Sequence, residues 1–112
     1  MKKELVGISA SPGRAEGQVH WILTPEDMKS FTVGEILLAK MTSPDWGEIF
    51  QKAAAVATEQ GGMLCHAAIV AREEGIPAVV GLGPELSEVK NGSMILVDGD
   101  EGIIKILEDK IQ

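Results

Sequence analysis

The residue types with chemistry to offer gather in one stretch, EQGGMLCHAAIVAREEGIPAVVGLG, from Glu59 to Gly83. Ala67 to Arg72 contain no breaker and read as a helix. The helix opens on Gly61-Gly62 and carries His66, one of two histidines in the chain, in its first turn. A helix start offers unpartnered backbone N–H groups and the positive end of the macrodipole, so it receives anions readily. Glycines just ahead of it let the backbone approach a bulky anion such as phosphate. The same dipole disfavours an imidazolium, and the neutral imidazole is the nucleophilic form. These residues fit a histidine that attacks a phosphoryl group and then holds it against the helix end. They also fit a capping or packed histidine behind a glycine-shaped turn.

Other chemistry finds less support. The glycines follow neither the Walker nor the dinucleotide-binding spacing. No second histidine lies four residues from His66, and Cys65 is the sole cysteine, so metal binding is not indicated. Neighbouring residues on a helix point about 100° apart, so Cys65 reads as a small packed residue rather than half of a Cys–His nucleophile. His20, on the polar face of a strand, reads as structural. Arg72, Glu73 and Glu74 read as a solvated helix end, with Arg72 able to reach a phosphate only if the fold bends back. Trp21 and Trp46 read as core or interface.

The elements that must position these residues are short and joined by tight turns, as 13 evenly spread glycines suggest. ELVGISASPG reads as a short strand running into a turn at Ser11-Pro12-Gly13. In GQVHWIL, Val19, Trp21 and Leu23 alternate with Gln18, His20 and Ile22, a strand pattern. EILLAK is a compact apolar strand. TSPDWGEIFQKA places Ser43 as N-cap and Pro44 at the first helical position. AAAVAT is either a buried strand or the tail of that helix. AVVG follows the His66 helix, and SMILVDGD with GIIKIL closes the chain as a hairpin turning at Asp98-Gly99 and Glu101-Gly102. The expectation is a single α/β unit over residues 1–112, strand-rich, with two main helices.

Bulk properties set the outer limits. A chain of 112 residues, 45% hydrophobic and 24% charged, suits one globular domain with its own core. Its 10 Lys and Arg against 17 Asp and Glu leave a net charge of -7 and no basic face for nucleic acid or an anionic membrane. No signal-peptide core or membrane-length apolar run is present, and a lone cysteine fits a reducing compartment. A cytoplasmic protein is expected. Met1 ahead of a plausible strand, and an end just past the last one, fit a stand-alone chain.

GGMLCHAAIVAREEGIPAVVG closely resembles the phosphohistidine signature of the phosphoenolpyruvate-utilising enzymes. These include pyruvate, water dikinase, pyruvate, phosphate dikinase, rifampin phosphotransferase and, more distantly, enzyme I of the sugar phosphotransferase system. GISASPGRAEGQV, ILLAKMTSPDW and NGSMILVDGDEGIIKIL extend the resemblance over nearly the whole chain. It implies a swivelling β/β/α domain whose histidine, here His66, carries phosphate between two remote catalytic domains. Gly61 and Gly62 match the glycine pair of the signature, and with Cys65 they are the phosphate-binding candidates. The implied partners are an ATP-grasp nucleotide-binding domain or subunit and an acceptor domain of the phosphoenolpyruvate or pyruvate type. Mg²⁺ and ATP or phosphoenolpyruvate would sit on those partners, with no cofactor or metal on this domain. Many dikinases carry threonine two residues before the histidine. Here that residue is Leu64, nearer the rifampin-phosphotransferase branch, which weakens pyruvate as the acceptor. The expected function is a phosphoryl carrier, inactive alone. The alternative is a non-catalytic regulatory or docking module that keeps the fold and binds a full-length relative. A plain structural domain is a third.

Overall fold

The computed structural model describes residues 4–109. Eight strands run β1 (Glu4–Val6), β2 (Ile8–Ser11), β3 (Arg14–Trp21), β4 (Ile36–Ala39), β5 (Ala55–Thr58), β6 (Ala78–Val80), β7 (Met94–Asp98) and β8 (Ile103–Glu108). Three helices interrupt them: α1 (Pro25–Ser30), α2 (Gly47–Lys52) and α3 (His66–Glu74). The strand order is β1-β8-β7-β3-β4-β5-β6-β2.

β3 joins two sheets. Its first half, Arg14 to Gln18, lies antiparallel to β7, and Val19 to Trp21 run parallel to β4. β4, β5 and β6 are mutually parallel, and β2 closes the far edge antiparallel to β6. The stretch expected as one strand is therefore two, β1 and β2, paired at opposite ends of the order. Gly7 makes the crossing, where a Cβ would stand 2.6 Å from the carbonyl oxygen of Val80.

Period-two alternation then builds two cores from the same strands. Ile36, Leu38, Ala55 and Ala57 face a core between the sheets, with Trp21, Leu86, Ile95, Val97 and Ile104. Leu37 and Val56 face a second core under the helices, with Phe31, Phe50, Ala67, Ala68 and Ala71. Strands covered on both faces read as continuous apolar runs. AVAT is accordingly a buried strand and not a helix tail. The result is three layers, sheet on sheet on helices, an α/β fold in a single domain.

Two helix expectations need correction. α1 makes a third helix, short but with a full capping box: Thr24 receives the Asp27 N–H, and the Asp27 carboxylate receives the Thr24 N–H. The same carboxylate takes the Leu23 N–H, so β3 stops at Trp21 and Leu23 is left exposed. Second, Ser43 and Pro44 do stand as N-cap and first residue, but of a short 3-10 turn rather than of α2, and the Ser43 side chain makes no capping bond. Residues Pro44–Trp46 form a 3-10 turn, the Ser43 hydroxyl bonds Asp45, and α2 begins at Gly47. No helix among the described residues is long and apolar enough to cross a membrane.

Candidate functional site

The site lies at the carboxyl ends of the parallel strands, where open α/β sheets place their ligand crevices. β4 runs out into Lys40, Met41 and Thr42, and β5 into Glu59, Gln60 and Gly61. Glu59 N–H bonds Ala39 O and Gln60 N–H bonds Lys40 O, at 3.1 and 3.0 Å, keeping the two loops side by side. The Thr58 hydroxyl donates to Gln60 O at 2.7 Å and tightens the exit of β5. A turn from Gly62 to Cys65, closed by Cys65 N–H to Gly62 O at 3.1 Å, delivers the chain to α3.

His66 is the first residue of α3, and Cys65 is its N-cap in extended conformation without a side-chain bond. The small residues Ala67, Ala68 and Ala71 bury one face of α3 and let it sit close on the sheet. The ring of His66 is half-buried. Its Nδ1 lies 2.7 Å from the Thr42 hydroxyl, and the Phe50 ring meets it edge-on at 5.8 Å between centroids. Nε2 has no hydrogen-bond partner among the described residues. Met41, Thr42, Thr58, Gln60, Gly61, Cys65, His66 and Ala67 enclose a pocket of about 240 Å³.

The glycine pair does not open the helix. Gly61 precedes the turn and Gly62 is its first residue, and α3 starts four residues after Gly62. Gly61 has φ +122°, and a Cβ there would fall 2.8 Å from Cys65 Sγ, so close packing against the cap residue requires glycine. Gly62 does not line the pocket, and a Cβ on it would meet only open space. Of the phosphate-binding candidates, Gly61 and Cys65 meet His66 in the pocket and Gly62 does not.

Arg72 is not a free helix end: its guanidinium donates to the carbonyls of Ala10 and Met63. His20 bonds Glu35 through Nδ1 and Ser30 through Nε2, tying β3 to the approach of β4. Trp21 is buried with its indole N–H on Val89 O at 2.7 Å, and Trp46 packs against the core under the helices. Thr42, Phe50 and Gln60 went unnoticed in the sequence. Thr42 sits 24 residues before His66, and only the pairing of β4 with β5 brings the two together. No group of three His, Cys, Asp or Glu among the described residues is arranged to hold a metal ion.

Residues 31–102 match the family described as PEP-utilising enzyme, mobile domain. A phosphoenolpyruvate synthase of Aeropyrum pernix is 48% identical over 99 residues, covering 88% of this chain and 12% of its own. An uncharacterized phosphotransferase of Bacillus subtilis is 42% identical over 106 residues, covering 95% of this chain and 13% of its own. The chain thus spans about an eighth of the length of these relatives. Among solved structures, Enzyme I in solution is 35% identical with a TM-score of 0.62, over 74% of this chain and 34% of that one. Aconitase X of Thermococcus kodakaraensis shares the fold at 21% identity, with a TM-score of 0.72 over 96% of this chain and 100% of that one. The match over residues 31–102, with relatives 48% and 42% identical over most of this chain, places the chain in the family of PEP-utilising enzyme mobile domains.

Proposed function

We propose that this domain is a phosphoryl carrier in which Nε2 of His66 is the acceptor atom. Family membership supports a phosphotransfer module working with other domains. The observation that carries the finer reading is the bond between His66 Nδ1 and Thr42. In the tautomer that donates the Nδ1 proton to the Thr42 hydroxyl, the lone pair of the neutral ring lies on Nε2, the nucleophilic nitrogen. That nitrogen attacks the phosphorus of the donor. The P–N bond forms as the bond to the bridging oxygen breaks, and its electron pair leaves with the donor oxygen. The first N–H groups of α3, which have no helical partners, are placed to receive the phosphoryl oxygens.

Nothing in the described residues resembles a nucleotide site, so the donor belongs to a partner. We read that partner as an ATP-grasp domain or subunit, and the acceptor as a phosphoenolpyruvate- or pyruvate-type domain, with Mg²⁺ and ATP or phosphoenolpyruvate bound there. The cytoplasm is the natural place for such an exchange. One observation favours the rival docking role: Met41, Met63 and Leu64 stand 60%, 51% and 85% exposed beside the pocket, an apolar rim suited to another protein.

The two roles part on covalent label. The protein is incubated with Mg²⁺ and radiolabelled ATP, with and without the remaining domains of a phosphoenolpyruvate synthase supplied in trans. The carrier reading expects acid-labile, alkali-stable counts on His66 only when those domains are present. Docking without label would leave the regulatory role, and stoichiometric label without any partner would overturn the carrier.

A further inference from the structure

Arg72 stands in the last turn of α3, yet its side chain turns back toward the start of the helix. Nη1 donates to Ala10 O at 2.7 Å and Nη2 to Met63 O at 2.9 Å. The two carbonyls belong to different elements. Ala10 lies on the edge strand β2, which is anchored by β6, and Met63 sits in the turn that leads into His66.

Apart from Cys65, which packs against the core under the helices, that turn has little apolar anchorage of its own. The side chains of Met63 and Leu64 are 51% and 85% exposed, and Gly61 and Gly62 contribute none. Gly61 and Cys65, however, form a wall of the His66 pocket. The geometry points to Arg72 as a positioning residue for His66. Its guanidinium staples the turn to β2, and so sets where Cys65, the first N–H groups of α3 and the imidazole come to rest. Arginine suits the task because its rigid fork reaches two carbonyls at once, whereas the ammonium of lysine is a point donor. The inference deepens the carrier reading and rests on it for its functional consequence.

Arg72→Met keeps the apolar stem and removes both donors; Arg72→Lys keeps the charge and one donor. Amide exchange over residues 61–66 and the ring ¹⁵N resonances of His66 report the staple without any phosphoryl donor. Potassium phosphoramidate then supplies a small donor, since ammonia leaves as the imidazole P–N bond forms. In Arg72→Met, exchange across the turn should rise about tenfold or more, as expected for losing charge-assisted bonds, while β4 and β5 stay protected. The His66 ring resonances should shift, and the labelling rate should fall several-fold, with Arg72→Lys in between. Unchanged exchange in the turn overturns the inference, and so does a loosened turn that labels at the wild-type rate. If Arg72→Met does not fold, Arg72→Lys with wild-type exchange and labelling has the same force. A wild-type protein that takes no label counts against the carrier reading, and the staple then stands or falls on exchange and ring resonances alone.

Discussion

The starts of α1 and α3 solve the same problem in opposite ways. Both expose backbone N–H groups that lack helical partners. At α1 the protein satisfies them itself, with Thr24 as cap, a reciprocal Asp27 and acidic residues Glu26 and Asp27 in the first turn. At α3 the cap residue is Cys65, its side chain makes no capping bond, and the first turn carries no acid. A helix of six residues without buried side chains depends on its cap, whereas α3 is held by Ala67, Ala68 and Ala71 against the sheet. Packing therefore frees the start of α3 from capping itself. The pocket that His66 shares with Thr42 lies at this helix start, and in the proposed carrier role the phosphoryl oxygens would take the place of the cap.

The sharpest way to break this comparison is to remove the ring. His66→Ala should fold normally and lose label entirely in the presence of the partner domains, while His20→Ala, whose ring ties β3 to Glu35 and Ser30, should still be labelled. Equal labelling of the two variants would sink the assignment. Next comes the ring's orienting bond. Thr42→Val keeps the shape and deletes the hydroxyl, so transfer should slow about tenfold, the equivalent of one hydrogen bond of about 1.4 kcal/mol. Wild-type turnover in Thr42→Val would mean that the Nδ1 bond does not select Nε2.

A smaller and more pointed effect is expected from giving α3 the cap it lacks. Cys65→Ser should stabilise the fold by about 0.5 kcal/mol in urea unfolding and slow labelling two- to threefold, because the hydroxyl competes for the same N–H groups. Faster labelling with a less stable fold would reverse the logic of the comparison. The least effect belongs to the capped helix. Asp27 sits below the usual carboxylate range, chiefly because it accepts the Leu23 N–H, with burial opposing and the Thr24 N–H and hydroxyl and His20 assisting. A depressed folded-state value contributes stability that is present above the unfolded carboxylate value and is lost as pH falls through the folded one. Asp27→Asn should therefore cost about 0.5–1 kcal/mol at neutral pH without touching labelling. The difference from wild type should vanish in acid; if it persists there, the carboxylate is not the cause.

Much of the site was legible because its signals are local. The run from Gly61 to Gly81 carries its helix, its histidine and its family resemblance in consecutive residues, and the apolar run EILLAK already reads as a strand, whereas AAAVAT left strand and helix tail open until the sheet paired it. What stayed hidden depended on partners far along the chain. α1 escaped notice because PEDMKS has no apolar stripe, its helix resting on a cap. Arg72 looked like a solvated end because Ala10 lies 62 residues away. The glycine pair looked like part of the helix because sequence spacing does not distinguish a turn from a first turn.

By itself the sequence determined that one titratable side chain would stand at a helix start, in an acidic, strand-rich domain with a recognisable family signature. The tertiary structure alone decided which nitrogen of His66 is free and which walls surround it. Thr42 reaches Nδ1 because β4 and β5 pair in parallel and send their loops out at the same end, and Met63 is held because Arg72 finds the edge strand. Both contacts depend on register and closure between distant segments. Local composition sets the elements, but only their packing brings these residues within hydrogen-bonding distance.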